Sequence, residues 1–152
     1  MSKRFEFKRG FCWRNSAGKL HRLNGPAIDY VDGCRAWYVN GKLHRTDGPA
    51  VENTNGYRAW WAHGKLHRLD GPAAEDEVGN YSWWVNGEMH RLEGPAIVKS
   101  DGTKIWWANG RLHRTDGPAE ENPDGSVRYW VDGVQYDFVG CRFLDVTEEV
   151  AS

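Results

Sequence analysis

Apolar and polar residues alternate over short runs along this chain, and no run keeps an apolar 3.6-residue period long enough for a helix. Runs such as Arg35 to Val39 are rich in aromatic and β-branched residues, which suit a pleated surface. Turn dipeptides bound them. One set is Asp32-Gly33, Asn55-Gly56, Asp101-Gly102 and Asp124-Gly125, with Val78-Gly79 and then Asn80 as a weaker third copy. A second set is Asn40-Gly41, His63-Gly64, Asn86-Gly87, Asn109-Gly110 and Asp132-Gly133. Both are the kind that favour tight hairpins needing positive φ. The pattern predicts an all-β fold: an elongated antiparallel β-meander of stacked hairpin repeats, two main strands each, capped at both ends. Pro26 and its equivalents fall at strand entry, where a missing N–H costs least.

The runs repeat with a fixed period. Gly18, Gly41, Gly64, Gly87, Gly110 and Gly133 are each 23 residues apart, which marks one unit copied in tandem. His21, His44, His67, His90 and His113 are each followed by Arg, and G-P-A recurs at Gly25, Gly48, Gly71, Gly94 and Gly117. The division expected is a single repeat domain over 1–152, with an N-terminal cap at 1–17, five repeats at 18–132 and a degenerate C-terminal cap and tail at 133–152. Phe5 and Phe7 alternate with Arg4, Glu6 and Lys8 as a capping strand would. At the other end Tyr136 stands in the His column and Asp137 in the Arg column; Gly140 keeps the glycine column while Cys141 replaces Pro, and Thr147 to Ser152 read as frayed.

Each unit closes on an aromatic pair: Trp37–Tyr38, Trp60–Trp61, Trp83–Trp84, Trp106–Trp107 and Tyr129–Trp130. Adjacent strand residues point to opposite faces, so each pair is split into two columns. The first members share a face with Val39, Ala62, Val85, Ala108 and Val131, and that face is expected to be the packed side. The second members share theirs with Ala36, Ala59, Ser82, Ile105 and Arg128, a mixed surface expected to be partly exposed.

The totals exclude several classes. With 20 basic and 21 acidic residues, the formal charge of −1 draws the chain to neither nucleic acid nor anionic lipid. No apolar run reaches membrane-span length. Cys12, Cys34 and Cys141 fit no metal or redox spacing, and their odd number without a signal peptide points to free thiols in a reducing, cytoplasmic setting. The outlier is nine Trp in 152 residues.

The segments W-W-V-N-G-E-M-H at Trp83 to His90 and W-W-A-N-G-R-L-H at Trp106 to His113 resemble the MORN repeat, whose unit is of similar length and built as a β-hairpin. The resemblance covers about residues 18 to 133. It is divergent: His is followed here by Arg and x-[D/N/E]-G-P-A, where a typical unit carries glycine straight after the His. Similar H-R-x-D-G-P-A arrays look like those of uncharacterised bacterial and tailed-phage proteins. The resemblance implies scaffolding, with protein or lipid-headgroup contact rather than catalysis.

A residue present five times is rarely a unique catalytic group, and no Ser or Cys recurs beside the His for nucleophilic chemistry. Histidines two strands apart lie about 9–10 Å from one another, too far to share a Zn²⁺. No catalytic residue, metal or cofactor is expected. For the His-Arg pairs the local reading is a loop clip: Arg45, Arg68 and Arg114 lie two residues before Asp47, Asp70 and Asp116, with Asn24 and Glu93 in the same slot elsewhere. The His would then stack on an aromatic or donate to a carbonyl. Glu52, Glu75, Asp76, Glu77, Glu120 and Glu121 read as solvated acidic surface.

The functional expectation is a non-enzymatic scaffold that binds a protein partner through Tyr38, Trp61, Trp84, Trp107 and Trp130 together with Arg22, Arg45, Arg68, Arg91 and Arg114. If phage-encoded, the partner would be a host or defence protein. The alternatives are a binder or sponge of an anionic aromatic ligand such as a signalling nucleotide, held with the five His, and lipid-headgroup contact as in MORN proteins. A homodimer through the outer Trp column would instead make that face an interface.

Overall fold

The computed structural model describes residues 2–139 and 142–145. Among these there is no helix, and so none long and apolar enough to cross a membrane. The expected β-meander is present as one open antiparallel sheet of fourteen strands, each neighbour in sequence order along the sheet. The sheet begins with the hairpin Lys3–Phe7 and Gly10–Arg14 and ends with Val134–Val139 and Arg142–Asp145. Between them each repeat contributes two short strands, for example Val51–Glu52 and Arg58–Ala59. Cys141 and Thr147 to Ser152 lie outside the described residues, as does Gly140.

Both turn sets form, by different chemistry. At Asn40 and Gly41 φ is 52° and 82°, and the same two-residue positive-φ pair recurs at His63, Asn86, Asn109 and Asp132 with their glycines. These are the two-residue primed turns that match strand twist. In the other set only the glycine goes left-handed: Gly33 has φ 92°, its N–H bonds to Tyr30 O at 3.0 Å, and Asp32 Oδ1 accepts from Cys34 N at 3.0 Å. Asp32 is therefore an Asx-turn residue. In the third copy Val78 stands in that slot, and Asp76 closes the turn instead by accepting from Asn80 N, four residues on, at 2.9 Å.

The strand break is the useful feature. Arg35–Ala36 pairs within the main sheet, while Tyr38–Val39 pairs with Lys42–Leu43 as a small second hairpin. Trp37 joins the two: its N–H donates to Ala50 O at 2.8 Å and its carbonyl accepts from His44 N at 3.0 Å. Leu43 and Val51 thus flank Trp37 as two stubs of one interrupted strand, and the segment 45–49 leaves the sheet between them. Extending the register, Ala50 falls between Trp37 and Trp60. Ala27, Ala50, Ala73, Ala96 and Ala119, the alanines of G-P-A, are wholly buried among the indoles.

No large side chain is fully buried anywhere among the described residues. The expected packed side, with Trp37, Trp60, Trp83 and Trp106 sealed, is therefore corrected: both aromatic columns are half-buried. A one-layer sheet has no second layer to seal either face, so the loops and the rings themselves supply the cover.

Candidate functional site: the H-R-x-D-G-P loops and the two faces

The excursion at 45–49 folds back over its own Trp. The Arg45 guanidinium lies 4.0 Å from the Trp37 ring centre, donates through Nε to Asp47 at 2.9 Å, and through Nη1 to Pro49 O at 3.1 Å and Glu52 at 2.7 Å. Arg68 and Arg114 repeat this over Trp60 and Trp106, donating to Asp70 and Asp116 at 2.9 Å. The expected Arg–Asp clip is present in these three copies. Arg91 stacks on Trp83 at 3.9 Å and keeps only the carbonyl bond to Pro95; among the described residues neither Glu93 nor Asn24 reaches its Arg. Glycine leaves room where the arginine passes: a Cβ at Gly71 would sit 2.8 Å from Arg68 Cζ, and the guanidinium would have to shift.

Arg22 stacks on Trp13 at 3.8 Å, which makes Trp13 a sixth member of the inner aromatic row. Sequence reasoning missed it because Trp13 stands 24 residues before Trp37, one off the period. The available signal was the neighbouring H-R-L-N-G-P loop, which lacks an indole otherwise.

At Nδ1 the histidines accept rather than donate to a carbonyl, and the expected stacking on an aromatic is present at His44, whose ring lies 4.3 Å from that of His63. Nδ1 of His21, His44, His67, His90 and His113 accepts the backbone N–H of Asn40, His63, Asn86, Asn109 and Asp132, at 3.0 to 3.3 Å. Each donor is the last residue of the same repeat and opens the positive-φ turn into the next, so the imidazole ties the start of a unit to its end. In His21, His44, His67 and His90 the neutral ring then carries its proton on Nε2, whereas His113 Nδ1 also lies 2.9 Å from Asp132 Oδ1, to which it donates when it holds a proton. Burial first, and the nearby His63 second, hold the His44 pKa below its ordinary value.

The structure separates two sets that the sequence reading had joined. The five arginines lie over the inner row, while Tyr38, Trp61, Trp84, Trp107 and Trp130 point to the opposite face. That outer row runs beside Leu43, Leu66, Met89 and Leu112, its cross-strand partners. Ile28, Val51, Ala74 and Ile97 continue the face uncharged until Glu120 meets Arg128 at 3.1 Å. Open sockets of about 450 and 520 Å³ lie between Trp61 and Trp84 and between Trp84 and Trp107. Trp84 Nε1 donates to Ser82 Oγ at 2.9 Å, whereas the buried Nε1 atoms of Trp61, Trp107 and Trp130 have no partner.

On the loop face the outward charge is negative. The side chains of Arg45, Arg68 and Arg114 are only 19 to 23% exposed, while those of Asp47, Asp70 and Asp116 are 81 to 85% exposed. Hydrogen bonding to their arginines holds these three carboxyls below the usual range. The carboxylates expected to be freely solvated are partly tied down instead: Glu52 and Glu121 bond Arg45 and Arg114, and Glu75 lies 3.5 Å from Arg58. Leu23, Leu69 and Leu92, in the x position that sequence reasoning passed over, are 74 to 79% exposed.

Among the described residues no group of three or more His, Cys, Asp or Glu could hold a metal ion, and Cys12 and Cys34 are free thiols. The sequence matches no protein-family model and no curated protein.

Proposed function

We propose that this chain is a non-enzymatic, divergent MORN-like repeat scaffold that binds a protein partner along its outer aromatic face. One observation carries the reading: Tyr38, Trp61, Trp84 and Trp107 recur half-buried along one face beside Leu43, Leu66, Met89 and Leu112, with sockets between successive indoles that Lys65, Glu88 and Arg111 edge. Rigid half-exposed aromatics with adjoining hollows are the features that anchor protein interfaces. From Gly10–Arg14 to Val127–Val131 the sheet advances by ten strand spacings, about 48 Å, and a five-residue strand is about 17 Å long. The resulting face of about 800 Å² is one side of a standard interface.

A photo-reactive phenylalanine analogue at Trp84, irradiated in the native host, tests this. A discrete protein adduct is expected, and its loss on adding Trp61→Glu. Irradiation that yields no protein adduct rejects the reading.

A further inference from the structure

We infer that the opposite, loop-bearing face holds a second docking groove, and that it takes a cationic protein segment carrying aliphatic side chains. The groove lies between the third and fourth loops and measures about 740 Å³. Trp83 and Val85 form its floor, and Leu69 and Leu92 stand at its walls. Both leucines are 79% exposed, an arrangement that costs free energy in water and gains it under an apolar side chain.

Charge decides the occupant. The groove's rim holds Asp70 and Glu93, and the Asp70 side chain is 85% exposed. Arg68 is committed to Trp60, Asp70 and Pro72, and Arg91 to Trp83 and Pro95. A phosphate or acidic peptide approaching from solvent therefore meets carboxylates before it meets guanidinium. A lysine- or arginine-bearing chain meets complementary charge at the rim and an apolar slot between. The first and second loops each carry only half of this pair, Leu23 with the uncharged Asn24 and Thr46 with Asp47, so the third and fourth loops alone supply both leucine and carboxylate. The partner is accordingly an extended basic segment with an aliphatic residue seated beside Trp83. This site lies across the sheet from the outer aromatic row, so it stands or falls independently of the function proposed above.

The test uses the full chain and three fluorescent octapeptides: alternating Lys-Leu, alternating Glu-Leu and alternating Lys-Ser. Anisotropy is expected to show Lys-Leu binding at least tenfold tighter than either other peptide, and quenching or shift of Trp emission on binding. Leu69→Ser with Leu92→Ser should weaken it at least tenfold while circular dichroism stays unchanged, since both leucines project into solvent. Glu93→Lys, which breaks no hydrogen bond, should weaken it severalfold and flatten its salt dependence. Equal binding of the Lys-Leu and Glu-Leu peptides overturns the inference, as does undiminished binding to the double leucine variant.

Discussion

The Arg68 guanidinium lies 4.0 Å from the centre of the Trp60 ring and is held there from its rim by Asp70. Cation–π stacking contributes about 0.5–2 kcal/mol, and charge-assisted bonds add to it. Copies differ in how many of these bonds they make, which gives a ranking. Arg114→Ala removes stacking, two carboxylate bonds and a carbonyl bond, whereas Arg91→Ala removes stacking and the carbonyl bond. Urea unfolding should place the loss at Arg114 above that at Arg68, and Arg68 above Arg91, over a range of about 1–3 kcal/mol. An equal loss at Arg91 and Arg114 would show that the carboxylates contribute nothing.

Gly71 is needed for what passes over it rather than for its own backbone. A Cβ there would meet Arg68 Cζ at 2.8 Å and push the guanidinium off Trp60. Gly71→Ala should therefore cost about 1–3 kcal/mol in the native chain. In an Arg68→Ala background most of that cost should vanish. A double-mutant cycle reads the difference directly, and additive losses would refute the close approach as the reason for glycine.

Turns, strands and the Arg–Asp clip were legible because their partners are near in sequence. Arg45 and Asp47 are two residues apart, and the turn residues act on their own backbone. What Arg45 covers could not be read, because the stacking on Trp37 depends on the chain leaving the sheet at 45–49 and returning across it. The His44 bond to His63 N spans 19 residues, from the start of a repeat to its end, so no local pattern announces it. Splitting each aromatic pair between faces followed from strand alternation, but placing the arginines on the inner row's face required the loop. Trp13 was hidden by a one-residue shift against the period.

Ser82 Oγ accepts from an outer indole, giving Trp84 Nε1 a bond at 2.9 Å. At the matching position beneath Trp61 stands Ala59, and the Trp61 Nε1 is buried without a partner. Ser82→Ala should destabilise by about 1 kcal/mol, since it orphans a donor that is otherwise satisfied. Ala59→Ser should move stability the other way by a similar or smaller amount, because it offers Trp61 an oxygen within an existing strand. Thermal midpoints of the two variants check this. Destabilisation by both would mean that the Ala59 position is too tightly packed for a hydroxyl.

Acid should loosen the second unit, where His44 is tied to His63. His44 accepts from His63 N at 3.3 Å and stacks on the His63 ring at 4.3 Å with an interplanar angle of 19°. Protonating Nδ1 turns the acceptor into a donor facing an N–H. Burial and then His63 lower the His44 pKa in the fold relative to its ordinary 6.5. The folded state thus favours the neutral ring. Its stabilisation is complete above pH 6.5 and is lost as pH falls towards and through the folded value. The depressed carboxyls of Asp47, Asp70 and Asp116 have the same sign in a lower window, losing their contribution as pH drops below about 3.8. Replacing His63 by Asn, the residue at the equivalent Asn40, Asn86 and Asn109, removes the neighbouring ring and keeps the backbone donor. His63→Asn should raise the His44 pKa in an NMR titration of the imidazole protons, while the slope of stability against pH between 7 and 5 becomes shallower. A His44 titration that does not move in this variant would leave the stacked neighbour with no part in the shift.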